Sequence, residues 1–192
     1  MRIWLGARVV LSGLRPGTIT LHMALAVLLL GVLVFIAWRG CERPWRLSFR
    51  EVDTRRLRGL ALLLFAFVIG EGLMGSQVRE LTDSLAKTHA GQGRALWVGE
   101  LEQSWVYLVH RSFSWLVLGL GIAFYRGAGR VLQRGVGWLE KSVLGLILAQ
   151  MLLGVVLSQI GIVRVAQVLH IGLSSLLVSA LSLWLLGSLR KR

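Results

Sequence analysis

Five apolar runs, each 17 to 22 residues long, leave this 192-residue chain few choices of fold. They are Thr18–Trp38, Gly59–Gly75, Trp105–Tyr125, Ser142–Ile160 and Val165–Leu186. A helix rises 1.5 Å per residue, so roughly 20 residues cross the hydrocarbon of a bilayer. In lipid the backbone must satisfy its own hydrogen bonds, so apolar runs of this length become helices. With 55% hydrophobic residues, the chain is too apolar for a soluble domain of its size. The expected fold is an all-α polytopic membrane protein with five transmembrane helices, the last four forming a four-helix bundle.

The formal net charge of +13 would suggest nucleic acid in a soluble protein. Here the cations lie between the apolar runs and no soluble stretch can fold to carry such a site, so no nucleic-acid partner is expected. Fourteen of the 22 Lys and Arg fall in three segments, Arg39–Arg58, Arg126–Lys141 and Arg190–Arg192. By the positive-inside rule these face the cytoplasm, which puts the N-terminus outside and the C-terminus inside. The N-terminal arm, residues 1–17, is the exception, because Arg2, Arg8 and Arg15 would lie outside. No cleavable signal peptide is expected in it. The single cysteine, Cys41, rules out a disulfide within the chain.

The expected organisation is the arm at 1–17, a first transmembrane helix at 18–38, a basic cytoplasmic loop at 39–58 and a membrane bundle at 59–188 with an outer loop at 76–104. In that loop Val78, Leu81 and Leu85 recur at helical spacing, the pattern of a short amphipathic helix on the membrane surface. His89 reads as a solvated loop residue, and Trp97 and Trp105 as interfacial aromatics. Glu71, about a turn from the outer end of the second run, reads as a carboxylate reaching the interface; a protonatable group of a transporter is the alternative.

Runs one, three and five cross in the same direction, and His22, His110 and His170 lie near their starts. They are expected at one depth, in the outer leaflet. Ionisable side chains at such depth are costly and mark sites. Neutral imidazole ligates iron, copper and zinc. No cysteine or carboxylate is expected beside the three, and haem needs only one or two axial side chains and an apolar slot between helices. The candidate metal ligands are therefore His110, His170 and His22. Gly119, Gly121, Gly154, and Gly172 with Ser174, Ser175 and Ser179, are small enough to line a slot. The plainer readings are hydrogen-bonded structural histidines and ordinary small-residue helix contacts. An internal echo, LHMALAVLLLGVL (Leu21 to Leu33) against LHIGLSSLLVSAL (Leu169 to Leu181), keeps the Leu-His pair in register and suggests a duplicated bundle.

GSQVRE-x-x-D (Gly75 to Asp83), VHRSFSWLV (Val109 to Val117), Gln150-x-x-x-Gly154 and LHIGLSS (Leu169 to Ser175) resemble the haem A synthase family. The resemblance runs from about His22 to the end of the chain. It implies an enzyme that oxidises a methyl group of haem O to the formyl group of haem A, in a prokaryotic plasma membrane, for terminal oxidase biogenesis. It implies two similar four-helix halves, each offering a histidine pair to a haem. On this mapping His110 and His170 hold a haem b in the complete second half. His22 is one ligand in a first half whose first three helices have no counterpart here, so the chain is either a truncated piece or is completed by a second chain or a second copy. Arg79, Arg111 and Arg164 would receive the haem propionates. The alternative functions are a non-catalytic b-type cytochrome or an oxidase-assembly membrane subunit.

Overall fold

A computed structural model describes residues 17–42, 44–50, 54–161 and 163–189. The N-terminal arm short of Gly17 and the basic residues 190–192 lie outside the described residues. Five long helices carry the chain: α1 (Thr18–Gly40), α2 (Thr54–Thr88), α4 (Trp105–Val131), α5 (Trp138–Gln159) and α6 (Arg164–Gly187). A short α3 (Val98–Gln103) lies between α2 and α4. All five long helices have the length and composition to cross a membrane. The all-α polytopic architecture expected from the apolar runs is thus the one observed.

α2, α4, α5 and α6 contact one another in a ring, each against the next and α6 back against α2. α1 stands outside the ring and lies against α2 and α6. The core is built from stripes at alternating three- and four-residue spacing, which keep one face of a helix turned inward. They are Leu57, Ala61, Leu64 and Val68 on α2, and Val117, Phe124, Ala128 and Val131 on α4. Leu139, Val143 and Ile147 on α5 and Leu177, Leu181 and Trp184 on α6 complete it. Gly121 lets α4 and α5 approach closely: a Cβ there would lie 2.6 Å from Ile147 Cδ1. All these residues belong to one half of the bundle, the half next to the basic segments.

That end is also tied from below. Residues 44–50 run extended across it, and the Leu47 amide donates to Gly187 O at 2.8 Å. The Arg50 amide donates to Val131 O and the Gln133 amide to Ser48 O, with Phe49 bridging Leu132. Glu140 is fully buried and every one of its acceptor sites is used. It takes hydrogen bonds from Arg134 at 2.8 and 3.0 Å, from the Gly137 amide at 2.8 Å and from Trp184 Nε1 at 2.8 Å. A buried carboxylate survives only when paired and hydrogen-bonded in this way. The Arg134 guanidinium in turn lies 5.9 Å from the centre of the Trp45 ring.

The opposite end differs from expectation in three places. α2 does not stop at Gly75 but continues to Thr88, about 52 Å at 1.5 Å per residue. The expected surface helix is its last turns. Its polar residues hold α1 there: Glu80 accepts from the Gly17 and Thr20 amides at 2.9 and 3.1 Å, and Thr20 Oγ1 lies 2.9 Å from Ser76 Oγ. Trp97 is buried at 4% exposure rather than lying in an interfacial belt. It stacks on His89, whose ring is engaged rather than solvated: Nε2 is 3.0 Å from Glu100 Oε1 and Nδ1 is 3.2 Å from Gln92 Oε1. Arg94 closes the C-terminus of α5 by donating to the Leu157 and Ser158 carbonyls at 3.3 and 3.1 Å, where a cation suits the helix dipole.

Candidate functional site

Towards that outer-loop end, every core stripe changes character. On α2 the stripe Leu57, Ala61, Leu64, Val68 runs on into Glu71 and Gly75. On α4, read upward from Val117, it runs into Ser114 and His110. On α5 it reaches Gln150 and Gly154, and on α6, upward from Leu177, Ser174 and His170. Four apolar inward faces become polar and small at one level. Polar groups inside a membrane bundle are kept where they pair or bind something.

Glu71 and His110 meet at that level. His110 Nδ1 lies 3.1 Å from Glu71 Oε1, with the two side chains only 21% and 16% exposed. The Ser114 hydroxyl donates to the same Oε1 and lies 3.0 Å from the His110 carbonyl one turn earlier. Gly75, one turn beyond Glu71, makes room for the imidazole: a Cβ there would sit 3.3 Å from His110 Cε1. Beside the cluster the Phe67 and Phe113 rings stack with centroids 5.5 Å apart, and Phe67 packs on against the core. His170 faces the pair closely enough to interact electrostatically with both His110 and Glu71. Its level on α6 is set by Gln150, whose Nε2 donates to the His170 carbonyl at 2.7 Å. Glu71 therefore does not reach the interface as expected; it turns inward to the histidines.

Three polar atoms here are buried without an aligned hydrogen-bond partner: His110 Nδ1, His170 Nδ1 and Glu71 Oε2. The His110 contact has pairing distance but not pairing direction. Half-buried Gly72 and Gly154 have no neighbour within 4 Å of where a Cβ would stand. The bundle is thus dense at one end and open at the other.

The remaining candidates are distributed unevenly. His22 lies two residues past Thr20, near this level, but it is exposed on α1 outside the ring. Among the described residues no three histidine, cysteine or carboxylate side chains converge as a metal-binding group. Arg111 and Arg164 are exposed at the same end, while Arg79 Nε is held by Asp83 at 2.8 Å. Of the expected slot residues, Gly121 is closed by Ile147 and Gly119 and Gly172 are on exposed faces. Gly154 alone of those glycines is half-buried beside open space. Glu71, Ser114 and Gly75 were not expected in a site, and their place on the core stripes is the signal that marks them.

Five helices long and apolar enough to cross a membrane, with imidazoles and a carboxylate among them, define a polytopic all-α membrane protein. The chain belongs to the cytochrome oxidase assembly protein family, that of the haem A synthases, whose model matches residues 3–182. No curated protein and no solved structure matches it. Haem is the group this family implies. The residues fit it: two imidazoles on helices opposite one another in the ring, buried ring nitrogens without aligned partners, and open space beside Gly72 and Gly154.

Proposed function

We propose that the chain acts in haem A formation, with His110 and His170 as axial ligands of a haem b. The observation that supports this most is the change of the four inward stripes from apolar to polar and small at the level of those two histidines. A haem held by both imidazoles would supply one-electron transfer. Everything else falls to the chain. α4 and α6 carry the imidazoles, Gln150 holds the level of His170, and Gly75 leaves the His110 ring its space. Phe67 and Phe113 stack beside the site. Arg111 and Arg164 are the cations for the propionates, because a guanidinium matches a carboxylate in two-point geometry. Arg79, already committed to Asp83, is the weakest of the three in this role.

The reaction we assign is oxidation of the haem O methyl group to the haem A formyl group. Family membership and the His-Arg-Ser-Phe-Ser stretch at 110–114 support it. His22 then serves a separate haem position on the outer side of α1, with its remaining partners from another chain or a second copy; its exposure supports this. We place the basic segments in the cytoplasm and the histidine end in the outer leaflet of a prokaryotic plasma membrane; the positive-inside rule supports the orientation. A non-catalytic b-type cytochrome is the second reading, favoured by an imidazole pair that leaves no reactive position.

The test is a reduced-minus-oxidised visible spectrum with a pyridine haemochrome assay on the purified chain. His110→Ala and His170→Ala each abolish a low-spin b-type signal, and His22→Ala leaves it in place. Arg164→Leu shifts the midpoint potential; unchanged haem content and potential remove Arg164 from the site. Bound haem b without conversion of added haem O supports the second reading. A well-folded wild type without haem overturns the ligand assignment and leaves an assembly scaffold.

A further inference from the structure

We propose that Glu71 is the positioning residue of this site: its carboxylate takes the Nδ1 hydrogen of His110 and leaves Nε2 as the lone-pair nitrogen of the ring. This rests on the reading of His110 as a ligand.

An isolated neutral imidazole carries its hydrogen on either nitrogen, and the partner of one nitrogen decides what the other can do. His110 Nδ1 is buried and has one acceptor beside it, Glu71 Oε1 at 3.1 Å. That oxygen is already engaged by Ser114, while Glu71 Oε2 is buried with nothing aligned to it. Two polar atoms of one contact are therefore unsatisfied side by side, each the complement of the other. The terminal torsion of a glutamate is broad and soft, so a small rotation of the carboxylate brings an oxygen onto the Nδ1–H axis. Buried donors and acceptors left unmade are costly, which favours that rotation.

The ring has its room beside that carboxylate because residue 75 is glycine: a Cβ there would stand 3.3 Å from His110 Cε1 and 3.9 Å from both ring nitrogens. Residues 71 and 75 are one turn apart on α2, so one helix supplies both the acceptor and the space the ring occupies. α2 is anchored above through its Glu80, which binds the start of α1, and below by the core, so the acceptor is fixed in place. A carboxylate on Nδ1 makes Nε2 a stronger donor to a metal, and loss of such a partner typically costs 10–100-fold in metal affinity.

The first measurement is on the protein without haem: ¹⁵N spectra of the histidine rings in detergent micelles. Wild type shows His110 with hydrogen on Nδ1. Glu71→Leu, which has no acceptor, moves it to Nε2 or to a mixture. Glu71→Gln, with the same shape and an amide oxygen in place of the charge, keeps the Nδ1 hydrogen. A wild-type His110 with its hydrogen on Nε2 overturns the proposal, and so does an unchanged tautomer in Glu71→Leu. The second measurement is a redox titration of the haem-loaded chain. Glu71→Gln retains haem but changes the reduced-to-oxidised ratio at fixed ambient potential about tenfold towards reduced, which is 59 mV for one electron. An unchanged ratio counts against the proposal. Absence of haem from wild type refutes the ligand reading alone, because the tautomer result stands on the apo protein.

Discussion

At the scale of single residues, the same sequence pattern carries different burdens in different places. Leu33 and Leu181 occupy equivalent positions in the two Leu-His repeats, yet Leu33 is 51% exposed and Leu181 is fully buried. What separates them is the helix each is on: α6 is in the ring and α1 is outside it. His22 and His170 divide the same way. Glu71 turns inward because of its register, which its distance from the helix end does not reveal; it follows Val68 on the core stripe by three residues. Gly75 is the residue whose replacement is most telling. Gly75→Leu forces its side chain into the His110 ring, overpacking that costs about 1–3 kcal/mol. It lowers haem content while leaving the far end of the bundle intact, as thermal unfolding followed by both haem absorbance and helical signal will show. Glu140 gives the contrasting prediction. Arg134→Ala leaves its fully buried carboxylate short of its cation and destabilises the fold by about 3–5 kcal/mol in a denaturant titration.

At the scale of elements, the apolar runs identified all five helices, and the errors are at their ends. α2 runs past its apolar stretch because Val78, Leu81 and Leu85 continue the helical period and no breaker intervenes. Sequence alone could not show that these turns rise from the bundle to receive α1, because the partner is the backbone of Gly17 and Thr20, sixty or so residues away. Likewise the basic segment read as a loop is stitched to the ends of α4 and α6 through main-chain hydrogen bonds, which no side-chain pattern announces. Glu80→Ala removes the acceptor at the start of α1. The expected cost is about 1 kcal/mol, as for other lost helix caps. It appears as faster amide exchange confined to the first turns of α1 and to the facing part of α2.

At the scale of the whole molecule, the pattern of apolar runs and cationic gaps was enough for fold class, and the motifs were enough for family. The ring order of the bundle, and the exclusion of α1 from it, came only with the structure. The orientation has a direct check in Cys41, the single cysteine, exposed just past α1. A membrane-impermeant maleimide labels it in inverted vesicles and not in intact cells if the basic side is cytoplasmic; the reverse result turns the molecule over. The uneven density of the bundle has a consequence for how such a protein is made. Its largest fully buried side chains, among them Trp184, Phe124, Leu64 and Leu139, lie far from the histidines. On the proposed reading they can lock together before any haem arrives, so maturation separates into two stages, a chain that folds from the rim beside the basic segments and a receptacle that is charged afterwards.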